Sequence, residues 1–223
     1  MFGRQVVLTL LGLLLITAAI GQKKGKKTAV PGEDFADYRN NKESFARVSD
    51  KTLKADLGVF TVGGIEESIG KLPLRKLSPF AYSENHMNFK GEEIEVSVTI
   101  GPFEQKGRKI QLDEENVVKI AGKPYYGNYG NMPETEIKSV LVLAGKDTIQ
   151  IPPAAYADLY NLNFTYKDKS GTERTANGVY FSKDQKRMYI YLLSRDNTGS
   201  YEVTWVIENK QYLRRVVDYG FTN

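Results

Sequence analysis

A single histidine, His86, and a complete lack of cysteine narrow the chemistry open to these 223 residues. A Ser-His-Asp triad needs its serine on a sharp elbow, and no G-x-S-x-G occurs. A histidine metal site needs two or three such ligands at fixed spacing. Thiol catalysis, redox pairs and cysteine zinc sites have no residue to use. His86 ends the polar run Ser83-Glu84-Asn85-His86, which reads as a surface loop. Paired carboxylates remain, since a glycosidase sets two of them around the scissile bond. Glu93 and Glu95 share one strand face, but it is the wet face of an amphipathic strand rather than a cleft. The turn Asp196-Asn197-Thr198-Gly199 lacks the alternating oxygen ligands of a calcium loop. No catalytic residue, metal ligand or cofactor is therefore assigned.

Aromatic side chains offer the other route, recognition. The loop Gly122-Lys123-Pro124-Tyr125-Tyr126-Gly127-Asn128-Tyr129-Gly130-Asn131 combines tyrosine, glycine and asparagine. Adaptable binding loops use the same types, amphipathic contact area on a permissive backbone. Tyr125, Tyr126, Asn128 and Tyr129 are its candidate ligand contacts; the alternative is a turn whose rings fold back over a sheet edge. Nearer the C-terminus, a two-residue turn at Asn209-Lys210 would set Trp205 opposite Arg214. A planar cation over an indole contributes ~1 kcal/mol. A five-residue loop at 195–199 would then line up Tyr189, Tyr191, Tyr201, Trp205 and Tyr212 on one sheet face. Exposed, that row is a stacking platform for sugar rings or a partner protein. Buried, it is core between two layers, the usual fate of a hydrophobic face in a β domain.

Strands must carry these groups. Residues 93–100 alternate without error, with Ile94, Val96, Val98 and Ile100 on one side. Short strands are expected at 109–112 and 117–120. The continuous run Val140-Leu141-Val142-Leu143 predicts a central strand covered on both faces. It turns at Gly145-Lys146 and returns over 147–151. Pro152-Pro153 predicts one short helix near 153–160, with Tyr156, Leu159 and Tyr160 on one face. Leu162, Phe164 and Tyr166 alternate again, and strands at 179–182, 188–194, 201–207 and 211–219 form a four-strand meander. The fold class is mainly β, an antiparallel sandwich or partly open barrel with that helix. The N-terminal part is irregular or partly helical: Phe35, Tyr38, Phe45 and Val48 suggest helical turns, and 58–62 a strand.

Residues 1–21 read as a secretory signal peptide: Arg4, an apolar run over 6–20, then Ala18, Ala19 and Gly21. The run holds 15 residues, short of the roughly 20 that a membrane-crossing helix needs. Residues 22–32 form a basic flexible linker. Its Lys23, Lys24, Lys26 and Lys27 touch an anionic membrane surface weakly at most. Residues 33–223 make a single mainly β domain, with 33–78 open to being a small lobe of its own. Beyond residue 21 there are 30 basic and 27 acidic side chains, and without those four lysines 26 against 27. The body is near neutral, so no nucleic-acid partner is expected. An exported chain of this size without disulfides relies on packing alone.

Several stretches resemble exported hypothetical proteins of Bacteroidota across the C-terminal half. They are Gly122-Lys123-Pro124-Tyr125-Tyr126-Gly127, Gly145-Lys146-Asp147-Thr148-Ile149, Ala157-Asp158-Leu159-Tyr160, Tyr201-Glu202-Val203-Thr204-Trp205 and Arg215-Val216-Val217-Asp218-Tyr219-Gly220-Phe221. The resemblance implies a location, in the periplasm, at the outer membrane or outside the cell, and no activity. Asp147-Thr148-Ile149 is also similar to the O-glycosylation acceptor of such bacteria, which would modify Thr148. The expected role is a non-catalytic binding module of the cell envelope for a glycan or protein. An envelope hydrolase using carboxylates, or a structural component of an envelope assembly, is the alternative.

Overall fold

The structure is a computed structural model that describes residues 41–59, 74–91, 93–128, 130–195 and 200–219, within one compact unit spanning 31–223. The expected leader, the lysine linker, Phe35, Tyr38, Tyr129, most of the strand expected at 58–62 and the turn 196–199 lie outside those residues. Among the described residues no helix is long and apolar enough to cross a membrane.

The strands run β1 (Arg75–Leu77), β2 (Pro79–Tyr82), β3 (His86–Lys90), β4 (Ile94–Pro102), β5 (Ile110–Asp113), β6 (Asn116–Ile120) and β7 (Thr135–Ala144). There follow β8 (Asp147–Thr148), β9 (Tyr166–Lys167), β10 (Glu173–Arg174), β11 (Gly178–Phe181), β12 (Arg187–Ser194), β13 (Tyr201–Glu208) and β14 (Gln211–Tyr219). Two five-stranded antiparallel sheets, ordered β2-β3-β4-β7-β8 and β1-β11-β12-β13-β14, lie face to face without closing into a barrel. Two small hairpins, β5-β6 and β9-β10, complete the strands.

The main core lies between the sheets. Met87, Phe89, Val96, Val98 and Val142 from the first sheet meet Ile190, Leu192, Val203, Trp205 and Val217 from the second. The first sheet keeps its other face wet, as the alternation of β4 requires: Glu95 there accepts from Asn88 Nδ2 at 3.1 Å. His86 is the first residue of β3 rather than part of a loop, with Nδ1 3.2 Å from Thr99 Oγ1. The run 140–143 is not covered on both faces. β8 has only two residues, and Leu141 is 41% exposed.

The second sheet is covered on both sides. Its outer face carries Tyr180, Tyr189, Tyr191, Val206 and Val216 under a cap built from residues 41–59 and Leu74. The cap holds two short 3-10 turns (Asn41–Glu43 and Phe45–Arg47) and helix α1 (Lys51–Leu57). Asp50 caps α1 by accepting from Thr52 N and Leu53 N, both at 2.9 Å. The Tyr189 hydroxyl donates to Asp56 at 2.6 Å, and Phe45 N donates to the Asp218 carboxylate at 3.0 Å. Val48, Leu53 and Leu57 thus pack on the sheet.

Burial on both faces also explains a register the alternation misses. Trp205 pairs with Arg215, not Arg214, because a bulge between Val206 and Ile207 inserts one residue. Ser194 pairs with Tyr201, so six residues rather than five join β12 to β13. Tyr189 and Tyr191 therefore face the cap while Tyr201 and Trp205 face the main core. The single row of aromatic rings does not exist.

Candidate functional site

The helix expected near 153–160 is one 3-10 turn, Pro153–Ala155. It stops because the next backbone pairs elsewhere: Tyr126 N donates to Asp158 O at 2.9 Å, and Tyr160 N donates to Tyr126 O at 3.0 Å. Beyond it the chain crosses the end of the sandwich as an extended strap, residues 160–165. Leu162 and Phe164 are buried in the main core, while Asn163 is exposed between them.

Buried polar groups fix the strap. Tyr201 Oη donates to Tyr160 O at 2.8 Å, and Ser194 Oγ donates to Asn161 O at 2.6 Å. Asn177, with no exposed surface, donates from Nδ2 to Asn163 O at 2.8 Å and accepts from Leu193 N at 2.9 Å. Burial raises the Tyr201 hydroxyl well above its usual pKa, so it remains a donor. Asn177→Ala is expected to cost about 2 kcal/mol, because it strands the buried Leu193 N–H and removes the donor to the part-buried Asn163 carbonyl. Urea denaturation measures the loss.

Under the strap opens a cleft of about 470 Å³, lined by Glu84, Glu134, Asn161, Asn163 and Arg195 over a floor of Ile100, Leu162 and Phe164. Asn161, at φ +52°, accepts from Glu134 N and Thr135 N at 2.9 and 3.0 Å, tying the strap to the start of β7. Asn163 Oδ1 accepts from Arg195 N. The Arg195 guanidinium lies 5.3 Å from the ring centroid of Tyr166, itself 40% exposed. Tyr166 rides on β9-β10, whose turn is closed by Asp168. Bonds from the Ser170 hydroxyl and from Arg174 hold that carboxyl down at about 2.

Among the described residues, none of the candidates picked out from sequence lines this cleft. Tyr125 and Tyr126 are 0% and 2% exposed, so they are not surface rings. The Tyr125 hydroxyl accepts from Gly130 N at 3.1 Å and donates to Asn131 O at 2.7 Å, folding the loop on itself. Half-buried Asn128 donates to Met132 O at 3.1 Å. This loop positions the strap. Trp205 is fully buried and donates to Ala155 O at 3.1 Å. Arg214, half-buried, pairs with Val206 and not with the indole. Its neighbour Arg215 is the engaged cation, bound to Asp158 and Glu43 and 5.9 Å from the Tyr126 ring centroid. Thr148 is exposed in β8, paired with Leu143 of β7.

Sequence reasoning missed Asn161, Asn163, Asn177 and Arg195. One signal was available: Asn161 and Asn163 interleave with Leu162 and Phe164, so an apolar anchor alternates with an outward amide. Among the described residues, no three His, Asp or Glu side chains gather as a metal site would require. No family model matches the chain, and no curated protein or solved structure does either.

Proposed function

We propose that this chain is an exported, non-catalytic binding module of the cell envelope that takes a glycan in the strap cleft. The observation carrying this is the lining: two amides, a guanidinium and two carboxylates converge over an apolar floor, with a half-exposed tyrosine alongside. Sugar hydroxyls need paired donors and acceptors, and sugar ring faces need an apolar or aromatic surface. Glu84 and Glu134 disfavour a polyanion such as nucleic acid. Export rests on the leader-like residues 1–21. A structural role has less support, because among the described residues the exposed large apolar side chains are spread over β2, β5, β7, β9 and β14.

A glycan array followed by calorimetry tests the proposal. Arg195→Ala and Asn163→Ala should each weaken the best ligand at least about fivefold, the loss of one charged or neutral hydrogen bond. Silence on the array, or variants that bind as well as the parent, sinks it. Two carboxylates in one cleft also favour a second reading, glycoside hydrolysis. That reading requires release of reducing ends from the bound glycan, abolished by Glu84→Gln or Glu134→Gln.

A further inference from the structure

At the end of the sandwich away from the strap, turns of both sheets surround a second cleft, of about 500 Å³. Its walls are apolar: Ile94 and Ile149 from the first sheet, and Phe181, Met188 and Ile207 from the second. Its rim carries Arg75, Lys186 and Lys210, with Glu93 the carboxylate lining it among the described residues. Lys210 already reaches Asp147 across the mouth at 2.9 Å. Arg75 lies 4.1 Å from the Phe181 ring centroid and has no ion pair among the described residues. Lys186 has the Asp184 carboxylate beside it, with its backbone N donating to that carboxylate at 3.2 Å, so Arg75 is the rim cation that stands at the edge of the apolar slot without an ion pair among the described residues.

We propose that this slot binds a single-chain amphiphile ending in a carboxylate. The apolar chain lies between the sheets against Phe181, Met188 and Ile207, and the carboxylate meets Arg75 and Lys186. The guanidinium fork of Arg75, held over the Phe181 ring, matches a carboxylate, and Lys186 adds a second positive charge at the rim. A slot of this size and lining is typical of small-molecule sites, where apolar walls hold the body and few polar groups orient it. The inference is independent of the strap cleft.

Met188 supplies the reporter, since it lines the slot while Met132 does not. Full-chain protein labelled with ¹³C at its methionine methyls is titrated with dodecanoate below its micelle concentration. Parallel titrations use dodecyltrimethylammonium and dodecyl maltoside. Dodecanoate is expected to shift Met188 saturably, and to bind about tenfold more weakly to Arg75→Gln/Lys186→Gln, two exposed positions whose change spares the fold. Asn163→Ala, at the other cleft, should bind dodecanoate as the parent does. The proposal is overturned if Met188 does not move, if all three headgroups bind equally, or if the double variant keeps full affinity.

Discussion

Asp158→Ala is expected to destabilise the protein by about 3 kcal/mol, as seen in urea or thermal denaturation. Arg215 is 7% exposed, and its guanidinium meets Asp158 at 2.5 and 2.8 Å, Glu43 at 2.9 and 3.1 Å, and Ala155 O at 3.2 Å. Burial alone would lower the guanidinium pKa, yet the bonds to Asp158 and Glu43 raise it above its ordinary value. The cation therefore stays charged, and deleting its main partner leaves that charge in the protein interior. Arg215→Met/Asp158→Leu removes both charges and should recover most of the loss. If the single and double variants prove equally unstable, the penalty comes from packing and not from an orphaned charge.

Gly127→Ala should cost about 3 kcal/mol as well, from a different source. Gly127 sits at φ +91°, and a methyl group there would come within 2.3 Å of Tyr160 O, a backbone atom that cannot swing aside. Backbone strain of about 1–3 kcal/mol adds to overpacking of about 1–3 kcal/mol. Tyr160 begins the strap, so glycan affinity should fall together with stability. By contrast, Gly122→Ala and Gly145→Ala, with open space around them, carry only the cost of their positive φ. A Gly127→Ala protein with an unchanged denaturation midpoint would show that the loop does not brace the strap.

The strands could be read from sequence wherever one face is wet. Ile94, Val96, Val98 and Ile100 alternate with polar residues, and that rhythm fixes which side is core. In β12 and β13 both faces are apolar, so the strands are plain but their phase is not. Alternation alone puts Tyr189 and Trp205 on one face although they lie on opposite faces, and the bulge at Val206 makes Arg215, not Arg214, the engaged cation. The tyrosine loop misleads for another reason. Tyrosine, glycine and asparagine suit a ligand loop, but they equally suit a tight turn closed by one buried phenol, as around Tyr125. The strap is hidden because Leu162-Asn163-Phe164 has the pattern of a strand, while Asn163 bonds to Leu193 O and the Asn177 side chain without a continuous ladder.

The cap over the second sheet sets the order in which the molecule can be completed. Residues 41–59 are made before the surface they cover, which comes from β11 to β14. Phe45 waits for Asp218, 173 positions later. Until then Val48, Leu53 and Leu57 have no permanent seat, and a chain stopped short of β14 cannot finish either apolar layer. Completion of the fold therefore waits on pairings far apart in sequence, the kind of contact that slows folding.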